Sequence, residues 1–273
     1  MKILNVLLLV AVSAVAAENL IPFGDAEGNS HEWGKKVSVI TEQPFAGKAC
    51  FALTEPLALA KSPVIPIDPS KKYRLKGMLK SADGTKLSVA CFGITMLDAN
   101  KRPINKTQVQ IVPGTETVLL QDAPKGIMEL RVEDATKWEK RRSVRSQVAF
   151  NVKADTSDLP NFETTSLVSR IKRAEDGKGW IVLFDRPLPK AYPAGTTVRQ
   201  HLYGASLDCC VAWRPVPAEW TAFSAEISGL APVGAPANQF WKGTAYVYIY
   251  LLNDAQRKGA TLLFDNITLE VIE

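Results

Sequence analysis

Carboxylates set among apolar residues are the first chemically informative feature of this chain. Asp265 and Asn266 interrupt an apolar run that continues as Ile267, Leu269 and Val271 alternating with Thr268 and Glu270, the period of a strand with one buried face. A carboxylate in such surroundings is costly unless it is paired or coordinates a cation, so Asp265 either starts a turn or acts as a ligand. The beginning of the mature chain offers a partner, Asn19-Leu-Ile-Pro-Phe-Gly24-Asp25-Ala-Glu27-Gly28, a short apolar strand running into acids and glycines. If the first and last strands lie together, Asp25, Glu27 and Asp265 meet.

A second pattern is aromatic. Between Gly243 and Leu252, Ala245, Val247, Ile249 and Leu251 would face a core, leaving Tyr246, Tyr248 and Tyr250 as a stripe on the other face. A tyrosine joins an apolar ring to a hydrogen-bonding tip, which suits stacking on sugar C–H faces while bonding hydroxyls. The competing reading is a stripe covered by other parts of the chain. Trp138, beside basic residues, and Trp241, at a loop-to-strand entry, are further candidate platforms. Much of the net charge of +5 sits in Lys137, Lys140, Arg141, Arg142, Arg145 and Lys153. That cluster reads as a solvated face, with a patch for an acidic polysaccharide as the sharper alternative.

Catalytic signals are thin. The two histidines, His31 and His201, are far apart, and there is no nucleophile elbow, His-Glu-x-x-His pair, phosphate loop or dinucleotide fingerprint. His201, near Arg199 and Tyr203, is the only seed for a lyase-like site, and a structural role is the simpler reading. Glu133 and Asp134 point to opposite faces if extended, which disfavours a glycosidase pair. No enzymatic activity is expected. Cys50, Cys91, Cys209 and Cys210 match no zinc spacing; a structural role is expected, with at most one disulfide, Cys50 to Cys91 being the favoured pair. The sequons at Asn105 and Asn266 carry little weight.

Residues 1–17 read as a secretory signal: Lys2, an apolar middle from Ile3 to Val12, then Ala14-Val-Ala-Ala17. The apolar run is too short to span a bilayer, so a secreted or periplasmic protein is expected, without membrane insertion and with no nucleic-acid partner. Strand signals bounded by Gly, Pro or Asp then recur along the chain, the clearest at Lys71 to Lys80, Leu87 to Met96, Thr221 to Ile227 and Gly243 to Leu252. No helical period is sustained. The class is all-β, and a sandwich is expected.

Five pieces in order resemble carbohydrate-binding modules with a galactose-binding-like jelly-roll fold. Asn19 to Gly28 with Trp33 resembles their opening "N-L-(I/V)-x-N-G-(D/S)-F-E" and following Trp. Phe45-Ala-Gly-Lys48 to Leu53 is similar to "H-S-G-K-x-x-L-x-L", and Pro69-Ser-Lys-Lys-Tyr73-Arg-Leu-Lys-Gly77 to "P-G-K-x-Y-x-L-S-G". Glu219-Trp220-Thr-Ala-Phe223 and Leu263-Phe-Asp265-Asn-Ile-Thr-Leu269 resemble the closing elements. Phe23 and Ala26 depart from the usual Asn and Phe. The resemblance implies a single elaborated jelly-roll β-sandwich over 18–273, with extra strands and loops inserted at about 99–214. It also implies a structural calcium held by Asp25, Glu27 and Asp265 with backbone carbonyls, as such hard cations take oxygen ligands. The function expected is non-catalytic binding of a polysaccharide or cell-surface glycan. An envelope structural or adhesion module making protein contacts is the first alternative, and a jelly-roll polysaccharide-degrading enzyme the second.

Overall fold

A computed structural model describes residues 18–28, 30–141, 143–254 and 259–272; the expected leader at 1–17 lies outside them. Sixteen strands are named in chain order: β1 (Ser38–Ile40), β2 (Cys50–Leu53), β3 (Ala58–Lys61), β4 (Ile65–Pro66), β5 (Lys72–Ser81), β6 (Val89–Leu97), β7 (Thr117–Val118), β8 (Glu129–Val132), β9 (Ser146–Phe150), β10 (Val168–Arg173), β11 (Trp180–Phe184), β12 (Thr197–Leu202), β13 (Leu207–Pro215), β14 (Thr221–Ser228), β15 (Tyr246–Asn253) and β16 (Leu262–Val271). The only helical pieces among the described residues are single turns at Ser30–Trp33 and Lys106–Gln108. The protein is all-β, as its alternating pattern requires.

Two antiparallel sheets form the main sandwich. One runs β1-β2-β16-β5-β14; the other runs β13-β6-β15-β3, with β4 also paired to β15. Period-two alternation sends Tyr73, Leu75 and Leu79 of β5, Phe92, Ile94 and Met96 of β6, and Val247, Ile249 and Leu251 of β15 into one shared core around Trp33, Phe51 and Phe264. Trp33 packs edge-on to Phe264 at 5.5 Å and donates its indole N–H to the Phe23 carbonyl. The first described residues do lie along the last strand: Asn19 bridges Glu270, and Leu20 N–H donates to the Leu269 carbonyl.

The segment at about 99–214 builds two three-stranded sheets, β10-β11-β8 and β7-β12-β9, before β13 returns to the main sandwich. These enclose a second apolar core of Leu119, Leu130, Trp138, Val148, Phe150, Val182, Phe184, Tyr192 and Val198, with Phe150 and Tyr192 stacked 3.7 Å apart. Two strands escaped the sequence pattern. β3 is a short edge strand in alanine-rich sequence, and β10 is half charged and half-exposed. The apolar stretch at 109–112 makes a bridge between Ile111 and His201 rather than a strand, because Val109 closes the helical turn before it.

The disulfide differs from the expected pair. Cys91 of β6 is bonded to Cys209 of β13, its Cα 5.5 Å away, while Cys50 is free and buried in β2 of the opposite sheet. Strand adjacency decides this: β13 pairs with β6 across a bulge between Asp208 and Ala212. The bond joins residues 118 apart, so it closes the neck from which the second core hangs. Non-reducing peptide mapping should recover the Cys91–Cys209 cross-link and no Cys50–Cys91 peptide. Cys209→Ser should lower unfolding stability by about 2–5 kcal/mol, the range for a native bond closing a long loop.

Candidate functional site

The outward face of the sheet β13-β6-β15-β3 gathers the aromatic residues. Register places Tyr246 opposite Leu97, Tyr248 opposite Thr95, Tyr250 opposite Gly93 and Leu252 opposite Cys91. On the other side of β6, Leu207 lies opposite Thr95 and Trp213 opposite Cys91. Directly opposed residues share a face, so Trp213 and the tyrosines belong to one surface. From the Trp213 row to the Tyr246 row the strands advance by about 20 Å at ~3.3 Å per residue.

Exposure then sorts these residues. Trp213 is 71% exposed, the largest value among the exposed large hydrophobics. Tyr246 and Tyr248 are half-buried, with the Lys101 ammonium 5.4 Å and the Lys61 ammonium 5.1 Å from their respective ring centres, cation–π distances. Tyr250 does not join them: it is fully buried, its hydroxyl 3.1 Å from the Cys91 sulfur and 3.2 Å from the Cys209 sulfur. The bulge of β13 lies against Gly93, where an added Cβ would collide with the Asp208 carbonyl oxygen. Tyr250 is thus shut in by the cross-linked bulge rather than by the distant part of the insertion. The buried Thr95 hydroxyl, opposite Tyr248, and Oδ2 of Asp208, at the start of the β13 bulge, have no protein partner among the described residues, although buried polar atoms are normally bonded. Burial raises the Asp208 carboxyl pKa, against the nearby Lys106 charge.

Trp138 and Trp241 are not platforms. Trp138 is 4% exposed inside the second core and donates to the Thr115 carbonyl; Trp241 is fully buried in the main core and donates to the Pro236 carbonyl. Trp213, which the sequence pattern does not single out, directly follows Ala212, a buried residue of β13.

The three acids expected to bind calcium do approach one corner, since the Asp25 charge acts on Asp265. Four of their six oxygens face N–H donors. Asp265 Oδ2 accepts from Phe45 and Ala46, and its Oδ1 accepts from Asn266. Glu27 Oε1 accepts from Lys48 and Ala49 at 2.6 and 3.0 Å, and Asp25 Oδ1 accepts from Glu27. Among the described residues no group of three or more His, Cys, Asp or Glu is arranged to hold a metal. These amide hydrogens supply part of the positive partnership that a cation would give, and they pin the 43–49 loop to β16. Burial of Asp265 raises its pKa, offset by these donors and reinforced by Asp25.

His201 is fully buried in β12. Its Nδ1 is 2.7 Å from the Thr107 carbonyl, which makes Nδ1 the protonated nitrogen, and its Nε2 accepts from Arg199 Nε at 3.2 Å. Arg199, also fully buried, pairs with Asp158 at 2.8 Å. No substrate reaches this imidazole, which removes the lyase-like site. Burial, with the Arg199 charge, pushes its pKa down to about 4.

The fold is similar to those of several solved structures. A Family 16 Carbohydrate Binding Module-2 is 16% identical with TM-score 0.36, over 93% of this chain and 100% of that one. The CBM22-1 xylan-binding domain from Paenibacillus barcinonensis is 11% identical with TM-score 0.33, over 96% and 99%. The enzymatically active domain of bacteriophage CBA120 tailspike protein 4 is 10% identical with TM-score 0.40, over 93% of this chain but 21% of that one. No protein-family model and no curated protein matches the chain. Likeness at this level carries no argument about activity.

Two outcomes are expected. If backbone donors alone hold these carboxylates, the thermal midpoint should be the same in calcium and in chelator, and Asp265→Ala should cost about 1–3 kcal/mol by removing the charged acceptor of three part-buried N–H groups; a midpoint that falls on chelation would support the calcium expectation. For His201, the unfolded chain binds the proton near pH 6.5 and the folded chain only near pH 4. Stability should therefore fall as pH drops across that window, by roughly 3 kcal/mol from this group, and His201→Gln should flatten that dependence in denaturant titrations.

Proposed function

We propose that this is a non-catalytic carbohydrate-binding protein that lays a saccharide chain along the outward face of the sheet β13-β6-β15-β3. The observation that carries this reading is Trp213, 71% exposed at one end of a face that also presents Tyr248 and Tyr246. An exposed indole on a sheet is a large apolar surface without an internal packing role. Half-buried phenol rings on the same face extend it, with the Lys61 and Lys101 ammonium groups over one side of the Tyr248 and Tyr246 rings. The open indole suits a sugar C–H face, and the phenol hydroxyls and ammonium groups beside it can bond sugar hydroxyls. The surface is open rather than deep, so affinity comes from stacking area and rim hydrogen bonds.

His201 is buried and held by Thr107 and Arg199, so a structural role accounts for the one histidine considered for cleavage. Export is part of the proposal, supported by the apolar leader at 1–17 and by a disulfide, which persists in oxidising compartments. Among the described residues no helix is long and apolar enough to cross a membrane.

Affinity electrophoresis against a panel of soluble polysaccharides tests the reading. Trp213→Ala and Tyr248→Ala should each weaken retention by about tenfold, equivalent to ~1.4 kcal/mol, with folding unchanged by circular dichroism. Retention by no polysaccharide, or retention indifferent to both substitutions, would shift the face to a protein-docking role in an envelope assembly.

A further inference from the structure

A second surface, on the insertion, is continuous and cationic. One cavity of about 350 Å³ is lined by Glu139, Lys140, Arg141, Arg145, Arg170 and Asp185, among others. A second, of about 330 Å³, shares Arg145 and Asp185 with it and adds Gln147, Arg186 and Tyr203. A third, of about 380 Å³, shares Gln147 and Tyr203 and adds Asn105, Thr164 and Ser206. Shared lining residues make these one groove, ending where β13 begins.

Its charge is one-sided. Five cationic side chains line it against two carboxylates. One of the two, Glu139, is already neutralised by Arg141 at 2.6 Å, which holds its pKa down at about 2. Arg145, Arg170 and Arg186 are exposed and form no ion pair among the described residues. Guanidinium groups are planar, always charged and matched to bidentate recognition of carboxylates. Tyr203 is 44% exposed in the middle of the groove, with the Arg145 guanidinium 4.2 Å from its ring centre. Beyond it the walls turn to amides and hydroxyls, Gln147, Asn105, Thr164 and Ser206.

We infer that this groove binds a uronic-acid-containing polysaccharide, its carboxylates on Arg145, Arg170 and Arg186, one sugar ring on Tyr203 and its hydroxyls on the amide-lined end. A flat solvated basic face would give charge without the aromatic platform or the graded wall. This second site stands apart from the sheet face bearing Trp213 and uses none of its residues.

The test measures binding of polygalacturonate and alginate to the whole protein, with neutral xylan and dextran sulfate as comparison polymers, at low and moderate salt. Expected are retention of at least one uronate polymer, weakening with salt, and a loss of tenfold or more in the double variant R145Q/R170Q and in Tyr203→Ala. Trp213→Ala should leave uronate binding intact. All substituted positions are exposed, so thermal midpoints should match the parent protein. The inference is overturned if no uronate polymer binds at low salt, if R145Q/R170Q binds as the parent does, or if dextran sulfate binds as tightly with no dependence on Tyr203, which marks unspecific charge attraction.

Discussion

The fold depends on where the last strand goes. β16 lies between β2 and β5, so the middle of the first sheet is empty until the final strand of the chain is in place. Its partner β15 occupies the corresponding inner position of the second sheet, between β6 and β3. Both sheets are therefore completed by the C-terminal end, and neither side of the main core closes without it. Such pairing is almost wholly non-local, which makes loop closure the dominant entropic cost of folding. Asp265 sits at the bulge in β16, and its backbone donors bind this late-arriving strand to the loop before β2. A carboxylate serves there because one side chain can accept from three separated N–H groups that no sheet partner satisfies.

The insertion is compatible with this closure because it leaves from one edge and returns to it. β6 ends near residue 97 and β13 comes back beside it as the edge strand, with the Cys91–Cys209 bond holding the two together. Everything between them can gather its own core without displacing a strand of the main sandwich. The bulge that the cross-link fixes also shapes the outward face. It buries Tyr250, leaves Tyr248 and Tyr246 half-open and carries Trp213 out into solvent. Stability at the neck and exposure of the aromatic surface are thus set by the same few residues of β13.

The buried polar cluster of the insertion illustrates a related economy. Arg199, Asp158 and His201 satisfy one another and the Thr107 and Lys153 carbonyls, so a neutral imidazole becomes a rigid bracket rather than a proton carrier. Breaking such a network is costly because each remaining group is left unpaired in a low-dielectric interior. What the insertion presents outward is the opposite: the guanidinium groups of Arg145, Arg170 and Arg186, without carboxylate partners among the described residues, lining a groove.

The sequence by itself determined the class, the face of each long strand and the meeting of the two ends. Period-two alternation is a local property, so the inward set Val247, Ile249, Leu251 and the outward set Tyr246, Tyr248, Tyr250 could be read directly. Alternation does not say what lies above an outward residue. Tyr250 is covered, Trp138 and Trp241 are core, and Trp213 is open, and each outcome depends on strands far away in the chain. The same holds for the cysteines, whose pairing follows from β13 lying beside β6, and for Asp265, whose ligands turned out to be backbone N–H groups of a loop some 220 residues earlier. Local pattern fixes direction; only the packing of distant segments decides exposure and partnership, because both are properties of the neighbours rather than of the residue.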